Sequence, residues 1–396
     1  MLKTWILRYP YYSLFFLALG LRVCVLCCFW NNSFPVFTDQ DKYLELGESI
    51  VQGQGLKGEL FRTPLYPAYI ALHYSIFGET TRIALRISQA LFSAFLPLVM
   101  VWWGLQCFRK EEAWLAGILA AIYPFFCVYP LFILTESHFV LFLFLFLILF
   151  HFSWKNACRG CFLGVWNGLV ILYRPSHLHF LFFLAGLLLI GFPRETLKRW
   201  KLLASAFLGT LLVLSPWIYR NYQMTHHFVP TTVHLGWFLY VGNCDQADGS
   251  AIDSQIKEKP EVLALSAYER DQYYFKEALT WIREHPQRFL ELVGIRLWRT
   301  WNIFPNFQSF QNIGVSFVCV TVIAPLLFLG LLGLLRSPKT VEWLLLASPI
   351  FYYTLIHSIT VGSIRYRLPA MPGVLFFVAI QMVYFYDIFK KRFRKK

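Results

Sequence analysis

A run of about 20 apolar residues, at 1.5 Å of helix per residue, is long enough to cross the hydrocarbon core of a bilayer. Ten such runs, several of them short, are legible in this 396-residue chain: 11–30, 82–103, 113–131, 137–153, 161–174, 177–192, 202–218, 313–335, 341–357 and 368–386. Recurrence at this density restricts the fold to an all-α polytopic membrane protein of about ten transmembrane helices, a single integral membrane domain over 1–396. An even count places both termini on one side. The 75 aromatic residues outnumber the 58 charged ones, which excludes a disordered chain, a nucleic-acid module and a charge-solvated soluble enzyme. Eight of the nine cysteines lie in or beside apolar runs and read as small core residues. Cys158 and Cys161 make a CxxC with no second pair, which is too little for a zinc or redox site.

The sign of the loops sets the orientation. Segments 1–10, 104–113, 154–160, 193–201, 336–340 and 387–396 hold 18 of the 36 Lys+Arg and 4 of the 22 Asp+Glu, so the whole excess of +14 resides in them. Positive charge stays on the cytoplasmic side of a span, so these segments and the tail KKRFRKK are expected there. The basic balance therefore reports topology and anionic lipid, with no nucleic-acid partner. Arg22 interrupts the first run, which weakens a signal-peptide reading and calls for a partner within the membrane.

Two longer polar regions, 31–81 and 219–312, fall on the extracytoplasmic side. The first contains RTPLYP, whose two prolines make a rigid return to the membrane. In the second, Phe275, Leu279 and Ile282 share one helical face before Pro286, and Phe289, Leu292, Leu297 and Trp298 follow. Helices of this kind lie in the interfacial plane.

Three groups of residues could carry chemistry. Asp39 and Asp41, just beyond the first run, are placed either to deprotonate a hydroxyl at the membrane boundary or to cap the helix that follows. Glu136 opens the fourth run, where a carboxylate must reach interfacial water or pair with an arginine. Arg62, Arg174, Arg220, Arg365 and Arg367 stand at the outer ends of runs, against the topological trend. Together they suit a phosphate clamp, while singly each could bond a nearby carbonyl or aromatic face. His226, His227 and His234 lack the carboxylate or cysteine spacing that completes a metal site.

Taken in order, these motifs resemble the GT-C superfamily of polytopic glycosyltransferases. Within it they are most similar to the bacterial family 39-like branch, related to protein O-mannosyltransferases and the lipid A aminoarabinose transferase. The resemblance rests on Asp39 to Tyr43, Gly53 and Gly55, RTPLYP at Arg62–Pro67, Tyr123-Pro124, Leu134-Thr135-Glu136 and Arg174-Pro175. It continues with Pro216-Trp217 through Arg220-Asn221-Tyr222, Tyr240 to Asn243, and Arg365-Tyr366-Arg367-Leu368-Pro369. It implies transfer of a sugar, with inversion, from a polyprenyl-phosphate-linked donor to a lipid, glycan or protein acceptor outside the bacterial cytoplasmic (inner) membrane. It matches Asp39 to the catalytic acid of the first external loop. Relatives often carry Asp-Glu there, whereas this chain has Asp39-Gln40 and a second acid at Asp41, so either carboxylate stands as the base. The arginines would hold the donor phosphate, with Tyr43, Glu136, Asn221 and Tyr366 in support. Neither a metal nor another cofactor is expected, because guanidiniums can supply the positive charge. A lipid-linked sugar flippase and an O-antigen ligase or polymerase share the spans and the basic face. The structured first loop with paired aspartates speaks against both.

Overall fold

The computed structural model describes residues 8–29, 38–156, 159–251, 256, 258–306 and 313–393. Its principal helices are α1 (Pro10–Cys28), α2 (Thr38–Val51), α3 (Leu65–Phe77), α4 (Thr81–Cys107), α5 (Lys110–Ile122), α6 (Glu136–Asn156), α7 (Gly160–Tyr173) and α8 (Phe180–Gly191). They continue as α9 (Trp200–Thr225), α10 (Leu235–Gly242), α11 (Ala267–Glu284), α12 (Pro286–Trp301), α13 (Ala324–Arg336), α14 (Val341–Ile359) and α15 (Met371–Phe393). Among the described residues there is no strand. The chain is an integral, multi-pass membrane protein.

Each of the ten apolar runs forms helix, but they are not equivalent spans. Among the described residues, six helical segments are long and apolar enough to cross a membrane: Pro10–Cys28, Thr81–Cys107, Glu136–Lys155, Trp200–Thr225, Ile313–Arg336 and Ile364–Phe393. A seventh is added if Lys110–Ile122 and Pro124–Leu131, bent by 50°, are taken as one. Proline accounts for two of the interruptions. Tyr123 before Pro124 is extended (φ −61°, ψ 119°), as is Arg174 before Pro175 (φ −147°, ψ 110°), because a proline ring disfavours helical geometry in the residue preceding it. The second break turns a potential long span into the short helices α7 and α8 and sets Arg174 on the turn between them.

Helices α6 and α15 are the central posts: 78% of the apolar stretch of each span is buried, against 22% for α1. Small residues decide how closely their neighbours approach. On α7, Gly164 packs so tightly on α9 that an added Cβ would lie 2.0 Å from the Ala206 carbonyl oxygen, and Gly209 meets Cys161 in the same way at 2.4 Å. Lipid supplies no hydrophobic drive between helices, so close backbone packing of this kind does the joining. Arg22 of α1 is fully buried and finds hydroxyl and carbonyl partners. It donates to Ser93 Oγ at 2.9 Å, to the Ala18 carbonyl at 2.8 Å and to that of Ala121 at 3.2 Å.

Beyond the bundle, α10, α11 and α12 form a polar layer. Ser266 and Glu269 close a reciprocal capping box that starts α11. The face of α11 that buries is Asp271, Tyr274 and Ala278, one position off the expected Phe275, Leu279 and Ile282, which are half-buried. Gly236 of α10 explains the offset: a Cβ there would stand 1.8 Å from the Asp271 carbonyl oxygen, so α10 can sit directly on that face. On α12, Leu292, Arg296 and Thr300 turn inward, while Leu297 and Trp298 face out.

Candidate active site

Helix α2 begins at Thr38, so Asp39, Gln40 and Asp41 all lie in its first turn and fan out by about 100° per residue. Gln40 fixes the rotation. Its buried side-chain oxygen accepts the Ile133 backbone N–H at 2.9 Å, docking α2 on the turn that leads into α6. Asp39 is thereby turned into a cavity of about 500 Å³, while Asp41 points outward to Arg82 at 3.5 Å, both of those side chains 60% exposed.

Asp39 is gripped at both oxygens. Arg62 donates to Oδ1 at 2.9 Å and Arg365 to Oδ2 at 3.3 Å. Arg62 lies over the Tyr43 ring at 5.3 Å. Arg365 rises from the 3₁₀ turn Ile364–Ala370, whose start is capped by Ser363, and its Nε donates to Glu136 Oε1. Arg174 donates to the same oxygen at 3.0 Å. Glu136 is 1% exposed, at the N-terminal end of α6. Three guanidiniums and three carboxylates thus form one chain, Glu59–Arg62–Asp39–Arg365–Glu136–Arg174, the Glu59 carboxylate standing 3.8 Å from Arg62, with no net charge. Such pairing repays the desolvation that an isolated buried carboxylate would suffer. Burial pushes Asp39 up, but Arg365 and Arg62 more than offset it and hold the carboxyl below its ordinary range. Burial, helped by Asp39, pushes the Tyr43 phenol up to about 12, so it stays protonated.

The opposite wall comes from the polar layer. His234, Trp237 and Phe238 of the α10 region face the cavity, with Arg270, Asp271 and Tyr274 of α11. Asp271 accepts the Trp237 backbone N–H at 3.0 Å, and burial raises its carboxyl. Tyr274 donates to Glu258 at 3.0 Å. His357 of α14 stacks on Tyr366, ring centres 3.9 Å apart and planes within 5°.

Of the residues singled out in the sequence, Asp39, Tyr43, Arg62, Arg174, Arg365 and Tyr366 line the cavity, with Glu136 directly behind them. Arg220, Asn221 and Arg367 are not brought there. Arg220 donates to the Glu59 carbonyl at 2.7 Å and to Asn221 Oδ1 at 3.0 Å, over the Trp217 ring. Asn221 donates to the Val229 carbonyl at 3.1 Å and to that of Thr231 at 3.0 Å. Arg367 bonds the carbonyls of Thr300 and Asn302 beside Phe125. All three tie loops to helices, the alternative that one arginine at a span end always allows. His227 stacks on Tyr268, and Cys158 lies outside the described residues. The contribution of Arg270, Asp271 and Trp237 was not read from sequence. The Ser266–Glu269 capping pattern is the signal that could have placed the first turn of α11.

The arrangement matches known structures along nearly its whole length. An oligosaccharyltransferase from Archaeoglobus fulgidus, solved tethered with an acceptor peptide containing the NVT sequon, superposes with a TM-score of 0.62 over 97% of this chain and 50% of that one, at 14% identity. The chain has the GT-C fold. The oligosaccharyltransferase AglB from the same organism, in complex with an inhibitory peptide and a dolichol-phosphate, gives a TM-score of 0.60 at 15% identity, covering 97% of this chain and 51% of that one. The chain thus spans about half the length of the structures it matches. A family model described as dolichyl-phosphate-mannose-protein mannosyltransferase matches residues 62–219, from Arg62 past Glu136 and Arg174 to the end of the seventh apolar run. No curated protein matches the sequence significantly.

Proposed function

We propose that this GT-C chain transfers a sugar from a polyprenyl-phosphate-linked donor to an acceptor hydroxyl on the extracytoplasmic side of a bacterial cytoplasmic membrane. The observation that carries this reading is the cavity-facing Asp39, held by Arg62 and Arg365 with Glu136 and Arg174 behind it. Support also comes from the dolichyl-phosphate-linked family matched over 62–219 and from the dolichol-phosphate bound by the archaeal structure. Arg109 pairs with Asp387, Arg199 reaches the Trp154 carbonyl and Arg336 lies over Tyr384, so these basic loop residues meet the ends of α6 and α15 remote from Glu136, which favours an outward-facing cavity with 31–81 and 219–312 outside.

A phosphate diester entering the cavity competes with Asp39 for Arg62 and Arg365, since planar guanidinium forks suit either anion. Occupied in that way, the arginines release Asp39, which then has a free oxygen to accept a proton. The acceptor oxygen attacks the anomeric carbon as its proton passes to Asp39, and the bond from that carbon to the phosphate oxygen breaks with its electron pair leaving on phosphate. Attack opposite the leaving group inverts the centre. The guanidiniums offset the charge that develops on the departing phosphate. Glu136 keeps Arg365 and Arg174 oriented. The test is transfer from a synthetic polyprenyl-phosphate sugar by purified protein, beside mass spectrometry of envelope lipids and glycans with and without the gene. Loss of one glycosyl increment supports the assignment; an unchanged envelope and no transfer overturn it.

A further inference from the structure

Three helices present metal-ligating side chains to one point at the end of the bundle opposite the cavity. Cys107 is the last residue of α4, His151 lies near the end of α6 and Glu342 is in the first turn of α14. Cys107 Sγ is 3.6 Å from His151 Nε2, Glu342 Oε1 is 3.6 Å from His151 Nδ1, and the three donor atoms fall within 4.8 Å of one another. We propose that Cys107, His151 and Glu342 form a binding site for a divalent transition metal of the zinc type.

The distances carry the proposal. Zinc bonds of about 2.3 Å to sulfur and about 2.0 Å to nitrogen, at a tetrahedral angle, set those two atoms about 3.6 Å apart. That is the separation of Cys107 Sγ and His151 Nε2. One ligand atom from each of the three residues lies within 4.8 Å of the other two, and the Glu342 carboxylate stands 3.6 Å from Nδ1, the ring nitrogen that does not face Cys107. Its side chain is 23% exposed, in the turn that follows the Thr340 N-cap, and a change of rotamer closes the remaining gap.

Charge and softness agree with this geometry. One thiolate and one carboxylate cancel a doubly charged cation, leaving a neutral cluster beside the 1%-exposed His151. Lys155, one turn on, is exposed. Sulfur, imidazole and carboxylate together favour zinc over the hard cations magnesium and calcium. A water completes the fourth position from the exposed side of Glu342. His151 lies 15 residues along α6 from Glu136, about 22 Å at helical rise. The metal would therefore staple three helix ends and take no part in the sugar chemistry. Two of those helices, α6 and α14, carry Glu136 and His357 at their opposite ends.

The experiment uses the full chain in detergent, stripped with a chelator and titrated with Co²⁺. One equivalent should produce a thiolate-to-cobalt charge-transfer band that Cys107→Ser abolishes. Zn²⁺ should displace the cobalt and raise the melting temperature of the wild-type protein alone. Absence of the band, or its survival in a folded Cys107→Ser protein, overturns the site. Should that variant fail to fold, Glu342→Gln decides: cobalt affinity lower by at least about tenfold supports the site, and unchanged affinity overturns it.

Discussion

Arg365 and Glu136 are joined across 229 positions of sequence, the guanidinium Nε of one donating to Oε1 of the other, although each stands at the end of a different span. The contact fixes the orientation in which Arg365 also reaches Asp39, so a buried acid that touches no solvent sets the geometry of an arginine that does.

Replacing Arg365 with Lys retains the charge but cannot keep both contacts, because an ammonium lacks the planar fork. We expect binding of a polyprenyl phosphate in detergent to weaken at least about tenfold, with a melting temperature close to wild type. Arg220→Lys is the control. Its present partners are a carbonyl, an amide oxygen and the Trp217 face, all of which a lysine can serve, so lipid affinity should stay within about twofold. Equal weakening by both substitutions would count against a phosphate role specific to the cavity.

Asp39→Asn should lower transfer by about 10²–10⁴-fold while the donor still binds, since a general base acts mainly in the transition state. Asp41→Asn should leave both turnover and stability nearly unchanged, because its partner is a solvent-exposed Arg82 and such pairs contribute about 0–1 kcal/mol. Single-turnover kinetics with saturating donor separate the two variants. A dead Asp41→Asn beside an active Asp39→Asn would move the base to the outer face of α2.

The helices were legible because apolar runs of bilayer length leave few alternatives, and Arg174 and Glu136 were legible because charge at a span end is costly. What joins them was not. Ser93, the partner of Arg22, is 71 positions away, and no local pattern points to a hydroxyl on another helix. Arg220 and Arg367 read like Arg365 in sequence, and only the register of the turns separates these two, which hold carbonyls, from Arg365, which reaches Asp39. What turns Asp39 to the cavity and Asp41 outward is the bond between Gln40 and Ile133, a contact across 93 positions that no local pattern announces. The interruptions at Pro124 and Pro175 were visible as prolines, but their effect on span count needed the bend itself.

Gly164 and Gly186 offer a test of the packing. A methyl group on Gly164 would collide with the Ala206 backbone and force α7 from α9, so Gly164→Ala should destabilise by about 1–3 kcal/mol. Gly186 sits in α8 with nothing within 4 Å of the added carbon, and Gly186→Ala should be neutral or stabilise by about 0.5–1 kcal/mol. Thermal unfolding in one detergent compares them directly, and an equal loss in both would remove the close crossing as the cause.

The resting ion pairs also predict how activity depends on pH. Burial raises the Asp39 carboxyl and the two arginines lower it further than that, so its folded value is depressed. A depressed carboxylate contributes stability that is present above its unfolded value and is lost as pH falls through the folded one. In the free protein, therefore, Asp39 remains ionised to a pH below the ordinary range for aspartate. When donor phosphate takes over Arg62 and Arg365, part of that depression is lifted and the carboxyl rises. The acid limb of kcat/KM reports the free protein and that of kcat the donor complex, so the kcat limb should lie at higher pH. Arg62→Gln removes one lowering partner from the resting state and should move the kcat/KM limb upward, toward the kcat limb. Coincident limbs in the wild type, unmoved by Arg62→Gln, would show that the donor does not free Asp39 from its arginines.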